Sequence, residues 1–140
     1  MTNKCPKTID KFIAKEPIFS QIKFRLYNKN TKTTYIYTLA NLIGKTFRRG
    51  QFEFRGRWTG LLDKNGKEIY EGDIVRTYVA SGYSDLQPKT GKVVWEKKEV
   101  SFAVVGINDK LAYSLHYPNP SQNVSWEVIG NVFENKDLLK

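Results

Sequence analysis

The dipeptide Asn65-Gly66 is the feature that most constrains how this chain can fold. It lies between two short runs of strand-forming residues, and both of its residues tolerate the positive φ that a tight hairpin turn requires. Gly72-Asp73 provides a second reversal, after which Ile74-Val75 begins a third strand-forming run. The stretch 57–75 therefore predicts a β-meander of three consecutive strands.

The remainder of the chain also alternates apolar and polar residues over short segments, which is the pattern of half-buried strands. Residues 19–39 predict a basic hairpin, with Ile22, Phe24 and Leu26 facing the core and Lys23, Arg25 and Tyr27 facing solvent. Further strands are predicted over residues 74–80, 91–95, 100–105, 111–117 and 126–133.

Short helices are expected near both ends of the chain and after the basic hairpin. Thr8 is a candidate cap for a helix over residues 9–16, which either docks on the body or belongs to a flexible basic arm. Leu39, Leu42 and Ile43 fit one helical turn, although their β-branched neighbours also fit a strand, and a short helix or turn is favoured there. Asn135 is a candidate cap for a turn over residues 135–139.

The expected fold is all-β, a small SH3-like barrel or meander with an N-terminal β-hairpin extension and short terminal helices. Its predicted divisions are an extension over 1–18 and one domain over 19–140, comprising the hairpin 19–39, a β body over 52–134 and the helix 135–139. The predicted core contains Leu61, Ile69, Ile74, Val93, Trp95, Phe102, Val104, Ile129 and Phe133.

The positive charge of the chain is concentrated in its N-terminal third. Residues 1–50 hold eleven Lys or Arg and two acids, a balance of +9, whereas residues 51–140 hold twelve of each. Such a distribution favours an anionic partner, of which nucleic acid is the commonest, although excess charge can also serve solubility alone.

Residues 45–58 interleave cations with aromatic rings, which is the chemistry of a groove for single-stranded nucleic acid. The alternative is that Phe52, Phe54 and Trp58 are core residues of a strand, while the arginines simply alternate with them. The predicted nucleic-acid-binding residues are Lys23, Arg25, Lys45, Phe47, Arg48, Arg49, Arg55, Arg57 and Trp58.

No residue pattern predicts catalysis, a metal site or a cofactor. The acids Asp63, Glu68, Glu71 and Asp73 lie in or beside turns, where local hydrogen bonds explain them. The single histidine, His116, and the single cysteine, Cys5, have no motif around them that would mark a nucleophile, a base or a zinc site. We therefore expect a protein that is not an enzyme.

Two blocks of the chain resemble the signature blocks of the YopX family: residues 59–75 and residues 128–135. Ile22-Lys23-Phe24-Arg25 is similar to the usual opening of the family, so the resemblance covers about residues 22–137, and the first twenty residues depart from it. The resemblance implies a small, mainly β protein carried by bacteriophages and prophages, with no established biochemical activity.

Two functions fit these observations. The first is a phage or prophage accessory protein that binds nucleic acid through its basic third, and the alternative is a module that binds a host or phage protein or assembles with itself through tyrosines 35, 37 and 83. A cytoplasmic location is expected for both, because no apolar run approaches the roughly 20 residues of a membrane-spanning helix. Exposure of Arg48, Arg49, Arg55 and Arg57 on one face with Lys23 and Arg25 would favour the first, whereas scattered placement would remove the case for nucleic acid.

Overall fold

The computed structural model describes residues 21–43, 45–79, 89–108, 110–115 and 124–140. The predicted N-terminal helix and its docking, Cys5, Tyr83 and His116 lie outside the described residues.

Strands dominate the described residues, which confirms the prediction of a mainly β protein. The strands are β1 (Lys23–Asn28), β2 (Thr33–Thr38), β3 (Phe52–Leu62), β4 (Glu68–Tyr70), β5 (Asp73–Val79), β6 (Thr90–Glu96), β7 (Ser101–Gly106), β8 (Ala112–Ser114) and β9 (Val124–Asn131). One α-helix, α1, spans Leu39–Leu42, and a 3-10 helix spans Lys136–Leu139.

The strands form two antiparallel sheets. The first sheet has the order β2-β1-β3-β4, and the second has the order β8-β7-β6-β5-β9. Strands β1 and β2 pair as the predicted basic hairpin, with Lys23 opposite Thr38 and Asn28 opposite Thr33. The expected small barrel is not formed by the described residues, since no backbone pairing joins the edge strands of one sheet to those of the other.

The predicted meander is wrong at its third strand. Strand β5 pairs with β6 and β9, and not with β4. The reason is the turn at Glu71-Gly72: the Tyr70 amide donates to the Asp73 carboxylate at 2.8 Å, and the Gly72 amide donates to the Val93 carbonyl at 2.8 Å. These bonds carry the chain out of the first sheet and into the second.

The predicted hairpin between β3 and β4 is present, but its turn differs from the expected one. Gly66 has φ of +79°, whereas Asn65 does not have the positive φ that a two-residue turn would require of both. Instead, the Gly66 amide donates to the Asp63 carbonyl at 3.0 Å, and the Asp63 amide donates to the Lys67 carbonyl at 2.7 Å. Three residues therefore separate the hydrogen-bonded pair Asp63 and Lys67, with Gly66 in the left-handed position.

The Asp63 carboxylate organises this turn and ties it to the second sheet. It accepts hydrogen bonds from the backbone amides of Asn65 (2.8 Å), Lys67 (2.9 Å) and Val128 (3.0 Å). Burial raises the pKa of the Asp63 carboxyl, but these amide bonds outweigh burial and hold the pKa below its ordinary value. Asp63 is thus a structural acid, as its position in the sequence indicates.

The main core lies on the second sheet and under the β3–β4 hairpin. It contains the predicted residues Ile69, Val93 and Val104, and Ile74 is also fully buried. Leu61 and Phe102 pack against this core from positions that are partly exposed. The prediction omitted several members of the buried set: Val75, Ala103, Leu115 and Trp126.

The two described helices begin in different ways. Thr38 caps α1 with reciprocal side-chain bonds to Asn41, which confirms the helix expected over this segment. Asn135 does not cap the C-terminal helix; its side-chain oxygen accepts from the Asn131 amide at 3.1 Å. A Cβ on Gly130 would lie 2.6 Å from that oxygen, so glycine at this position permits the close approach of Asn135.

We predict that Asp63→Asn lowers the free energy of unfolding by about 1.5–3 kcal/mol at neutral pH, since it removes charge-assisted hydrogen bonds. The folded-state pKa of Asp63 lies below its unfolded value of about 4, so its contribution is present above that pH and is lost as the pH falls through the folded pKa. Denaturant unfolding should show the difference between variant and wild type shrinking in acid. Asp137→Asn, at an exposed position, is the control, and a pH-independent difference would contradict the assignment.

Candidate nucleic-acid interface

Register divides the side chains of the first sheet between two faces. Phe24 lies opposite Tyr37, and Leu26 lies opposite both Tyr35 and Phe54. We call this the aromatic face, and it comprises Phe24, Leu26, Tyr35, Tyr37, Phe52 and Phe54. The intervening residues of β1 lie on the opposite face, which we call the charged face: Lys23, Arg25 and Tyr27, with Arg55 stacked on Tyr27.

Arg25 is held inside the charged face by oxygen atoms from three directions. Its guanidinium binds the Asp73 carboxylate at 2.5 Å, the Arg55 carbonyl at 2.9 Å and the Glu71 carbonyl at 3.1 Å. The side chains of Arg25 and Asp73 are only 11% and 3% exposed. Arg25 therefore joins β1 and β3 to the start of β5, and its donors are not available to phosphate.

The predicted solvent exposure of Lys23, Arg25 and Tyr27 was wrong. The acids of the β4–β5 region and the C-terminal turn pack against this side of the sheet. Their charges neutralise the cations and allow them to be partly buried. Alternation in the sequence separated the two faces correctly, but it carried no information about which of them would be covered.

Arg55 and Lys23 are also engaged within the charged face. The Arg55 guanidinium lies 3.7 Å from the Tyr27 ring centroid and 4.9 Å from that of Phe133, and it pairs with Glu53 at 3.3 Å. Lys23 forms an ion pair with Glu68. Ring stacking and ion pairing therefore hold both cations within the charged face.

Trp58 belongs to this internal arrangement. Lys23 Nζ lies 4.6 Å from the Trp58 ring centroid. The indole Nε1 is buried without a hydrogen-bond partner, so the ring does not present its polar edge to solvent. These contacts favour a structural role for Trp58, which is the alternative that the sequence left open.

Arg57 lies beyond a register shift between β1 and β3 and points toward the second sheet. Its guanidinium lies 4.9 Å from the Trp95 ring centroid and 5.3 Å from that of Phe102, and its Nε binds Glu71 at 3.1 Å. The side chain is 40% exposed, but it covers the end of the core. The predicted arginines therefore do not share one exposed face, so the predicted site as a whole gives no argument for nucleic acid.

Titration within the charged face follows burial and these ion pairs. Burial raises the pKa of Asp73 above its ordinary value, despite the opposing effect of Arg25. Burial also acts to raise the pKa of Glu68, but the bonds from Lys23 and Tyr70 outweigh it and hold the pKa low. Burial and the neighbouring Glu68 raise the pKa of Tyr70.

A cleft of about 460 Å³ lies beside the charged face, between β4 and β9. The carboxylates on its wall already contact cations: Asp73 pairs with Arg25, and Glu68 pairs with Lys23. Within the described ranges, no group of three or more His, Cys, Asp or Glu side chains is arranged to hold a metal ion.

The aromatic face is more open than the charged face. Phe54 is 53% exposed, Phe47 is 40% exposed and Tyr35 is 38% exposed. Phe47 packs edge-on against Phe52, with ring centroids 4.9 Å apart, and against Tyr37, with ring centroids 6.2 Å apart. Phe47 therefore adds its ring to the aromatic face from the segment that precedes β3.

The segment 45–51 crosses the aromatic face and carries three cations with it. Lys45 Nζ lies 4.8 Å from the Tyr37 ring centroid, near the start of the segment. At its other end, the Lys29 amide donates to the Gln51 carbonyl at 2.9 Å, which brings the β1–β2 turn beside it. Arg48 and Arg49 lie between these two contacts and are exposed.

A basic cluster therefore surrounds the aromatic face. It consists of five exposed residues: Lys29, Lys32, Lys45, Arg48 and Arg49. None of them forms an ion pair with another described residue. The sole acid between residues 21 and 54 is Glu53, which pairs with Arg55. The predicted site did not include Lys29 and Lys32, although their position in the polar turn of the hairpin could have indicated them.

No helix among the described residues has the length and apolar character needed to cross a bilayer. The fold and this surface define a small antiparallel β protein with two sheets, one of which displays aromatic rings among unpaired cations.

Comparison with known proteins identifies the family. Residues 20–140 match the model of the family described as YopX protein, so the chain belongs to the YopX family and the resemblance seen in the sequence is confirmed. Among curated proteins, none is significantly similar to the chain.

One solved structure similar to this chain is the crystal structure of protein EF1440 from Enterococcus faecalis. It shares 22% sequence identity, and the alignment covers 85% of this chain and 98% of that chain, with a TM-score of 0.48. Similarity at this level supports no assignment of function.

We predict that Gly56→Ala destabilises the protein more than Gly60→Ala. Both glycines have positive φ, +114° and +85°, so an added side chain strains the backbone by about 1–2 kcal/mol at either position. At Gly56 the new Cβ would also lie 2.1 Å from the Glu71 carbonyl oxygen, which Arg25 binds, whereas nothing lies within 4 Å at Gly60. Chemical denaturation should show a gap of at least about 2 kcal/mol, and equal costs would contradict this packing.

Proposed function

We propose that this YopX-family protein is a non-catalytic module that binds nucleic acid through its basic cluster. The observation that supports the proposal is the set of five exposed cations without ion pairs: Lys29, Lys32, Lys45, Arg48 and Arg49. Cations without internal partners can neutralise phosphates and release the counterions that those phosphates hold. The unpaired cations therefore favour a polyanion as the binding partner.

The proposal replaces part of the predicted site. Arg25 and Arg55 are excluded from phosphate contact because their guanidinium groups are bound inside the charged face. Lys45, Arg48, Arg49 and Phe47 are retained, and the lysines of the β1–β2 turn are added. As part of this proposal, the protein acts in the bacterial cytoplasm, where phage and host nucleic acids are found.

Binding of a host or phage protein, or self-assembly, is the second candidate function. Exposed rings such as Tyr35 and Phe54 would suit an apolar partner surface, since aromatic residues are enriched in the centres of protein interfaces. The density of unpaired cations around those rings favours nucleic acid, because charged residues are depleted at such centres.

We expect salt-sensitive binding to nucleic acid that depends on the basic cluster. Five phosphate contacts to a single strand correspond to a slope of log affinity against log salt of about −3.5. The double variant Arg48→Ala/Arg49→Ala should weaken binding to all sequences alike and reduce the steepness by about 1.4, because it removes two contacts. Fluorescence anisotropy over a range of salt concentrations measures both effects.

The matched control is Lys97→Ala/Lys98→Ala, which removes two exposed cations from the β6–β7 turn of the other sheet. Its affinity and its salt slope should equal those of the wild type. Equal losses in both double variants, or the absence of salt-sensitive binding by the wild type, would disprove the proposed function.

A further inference from the structure

We infer that the nucleic acid bound by this module is single-stranded and that its bases stack on the exposed rings of the aromatic face. This inference rests on the proposed function, and it assigns Phe54 and Tyr35 as base-stacking residues. The aromatic residues of the predicted site are Phe47 and Trp58 instead.

The rings of the aromatic face are placed to meet bases. Phe54 and Tyr35 lie on either side of Leu26 in the register, so their rings flank the centre of the sheet. Phe24 supports Phe54 with ring centroids 6.2 Å apart, and Tyr37 supports Tyr35 with ring centroids 6.1 Å apart. Each exposed ring is therefore held by another ring, which leaves part of its surface open to solvent.

The position of the cations relative to the rings favours a strand that lies across the face. Lys29 and Lys32 lie in the turn after β1, whereas Lys45 lies over Tyr37, opposite the start of β1. A phosphate backbone that follows the segment 45–51 would pass Arg48 and Arg49 between these ends. Bases attached to that backbone would then project onto the rings beneath.

A duplex fits this surface less well than a single strand. Its bases are already stacked and paired, so exposed rings gain no contact from a duplex that is bound through its backbone. An unpaired base has a free π face, and stacking on an aromatic ring changes affinity by about 5- to 150-fold per base. The exposed rings therefore distinguish the two forms of nucleic acid, which the cations alone do not.

The test compares three labelled probes of the same length: oligo-dT, an abasic oligonucleotide and a DNA duplex. Oligo-dT and the abasic strand carry the same phosphates and differ in the presence of bases. We expect the full-length protein to bind oligo-dT at least about 5-fold more tightly than the abasic strand, and more tightly than the duplex.

Variants of the rings locate the effect. Phe54→Leu and Tyr35→Leu should each lower the affinity for oligo-dT by about 5-fold or more without changing the affinity for the abasic strand. Phe54→Tyr should retain wild-type affinity because it keeps an aromatic ring. Leu62→Ala, at a 58% exposed apolar position of the same strand, is the matched control and should leave all three affinities unchanged. Melting temperatures verify that each variant is folded.

The outcomes separate this inference from the proposed function. Equal binding of oligo-dT and the abasic strand, or stronger binding of the duplex, overturns the stacking inference and leaves salt-sensitive phosphate binding intact. Failure to bind any of the three probes overturns both. A particle mass in light scattering that falls from dimer to monomer on Phe54→Leu would show that the aromatic face binds a second copy, which also overturns the inference.

Discussion

The ion pair between Arg25 and Asp73 is the interaction on which the arrangement of the two sheets depends. Arg25 comes from β1 of the first sheet and Asp73 from β5 of the second, and the same guanidinium also binds the carbonyls of Arg55 and Glu71. Asp73 in turn accepts the Tyr70 amide, which ends pairing in the first sheet. Hydrogen bonds satisfy both buried charges, and loss of one partner would leave the other buried and unpaired.

The ion pairs inside the protein determine which cations remain available on its surface. The acids Glu68, Asp73 and Glu134 pair with the cations of the charged face, so these cations do not contribute to a binding surface. The basic residues of the turns have no such acids beside them, and they surround rings that the fold leaves partly open. The described cations of residues 23–49 therefore divide into two sets, those paired within the charged face and those of the basic cluster. We propose that the unpaired cations, which form the basic cluster, carry the binding function.

Local sequence patterns predicted the individual strands and helices. Contacts between residues far apart in the sequence determine how these elements assemble. The hairpin at Asn65-Gly66 and the helix capped by Thr38 depend on residues a few positions apart, so the sequence alone is enough to predict them. Arg25 and Asp73 are separated by 48 positions, and nothing near Arg25 in the sequence indicates that it will be buried. For the same reason, the sequence could not distinguish Arg48 and Arg49, which are exposed, from Arg55, which stacks on Tyr27 and Phe133.

A double-mutant cycle between Arg25 and Asp73 tests this account most directly. Unfolding free energies would be measured by chemical denaturation for Arg25→Gln, Asp73→Asn and the double variant. We expect each single variant to lose about 3–5 kcal/mol, and the double variant to lose at least about 1 kcal/mol less than the sum of the two. Additive losses within about 0.5 kcal/mol would show that the two side chains do not act together and would contradict the claim that their pair joins the sheets.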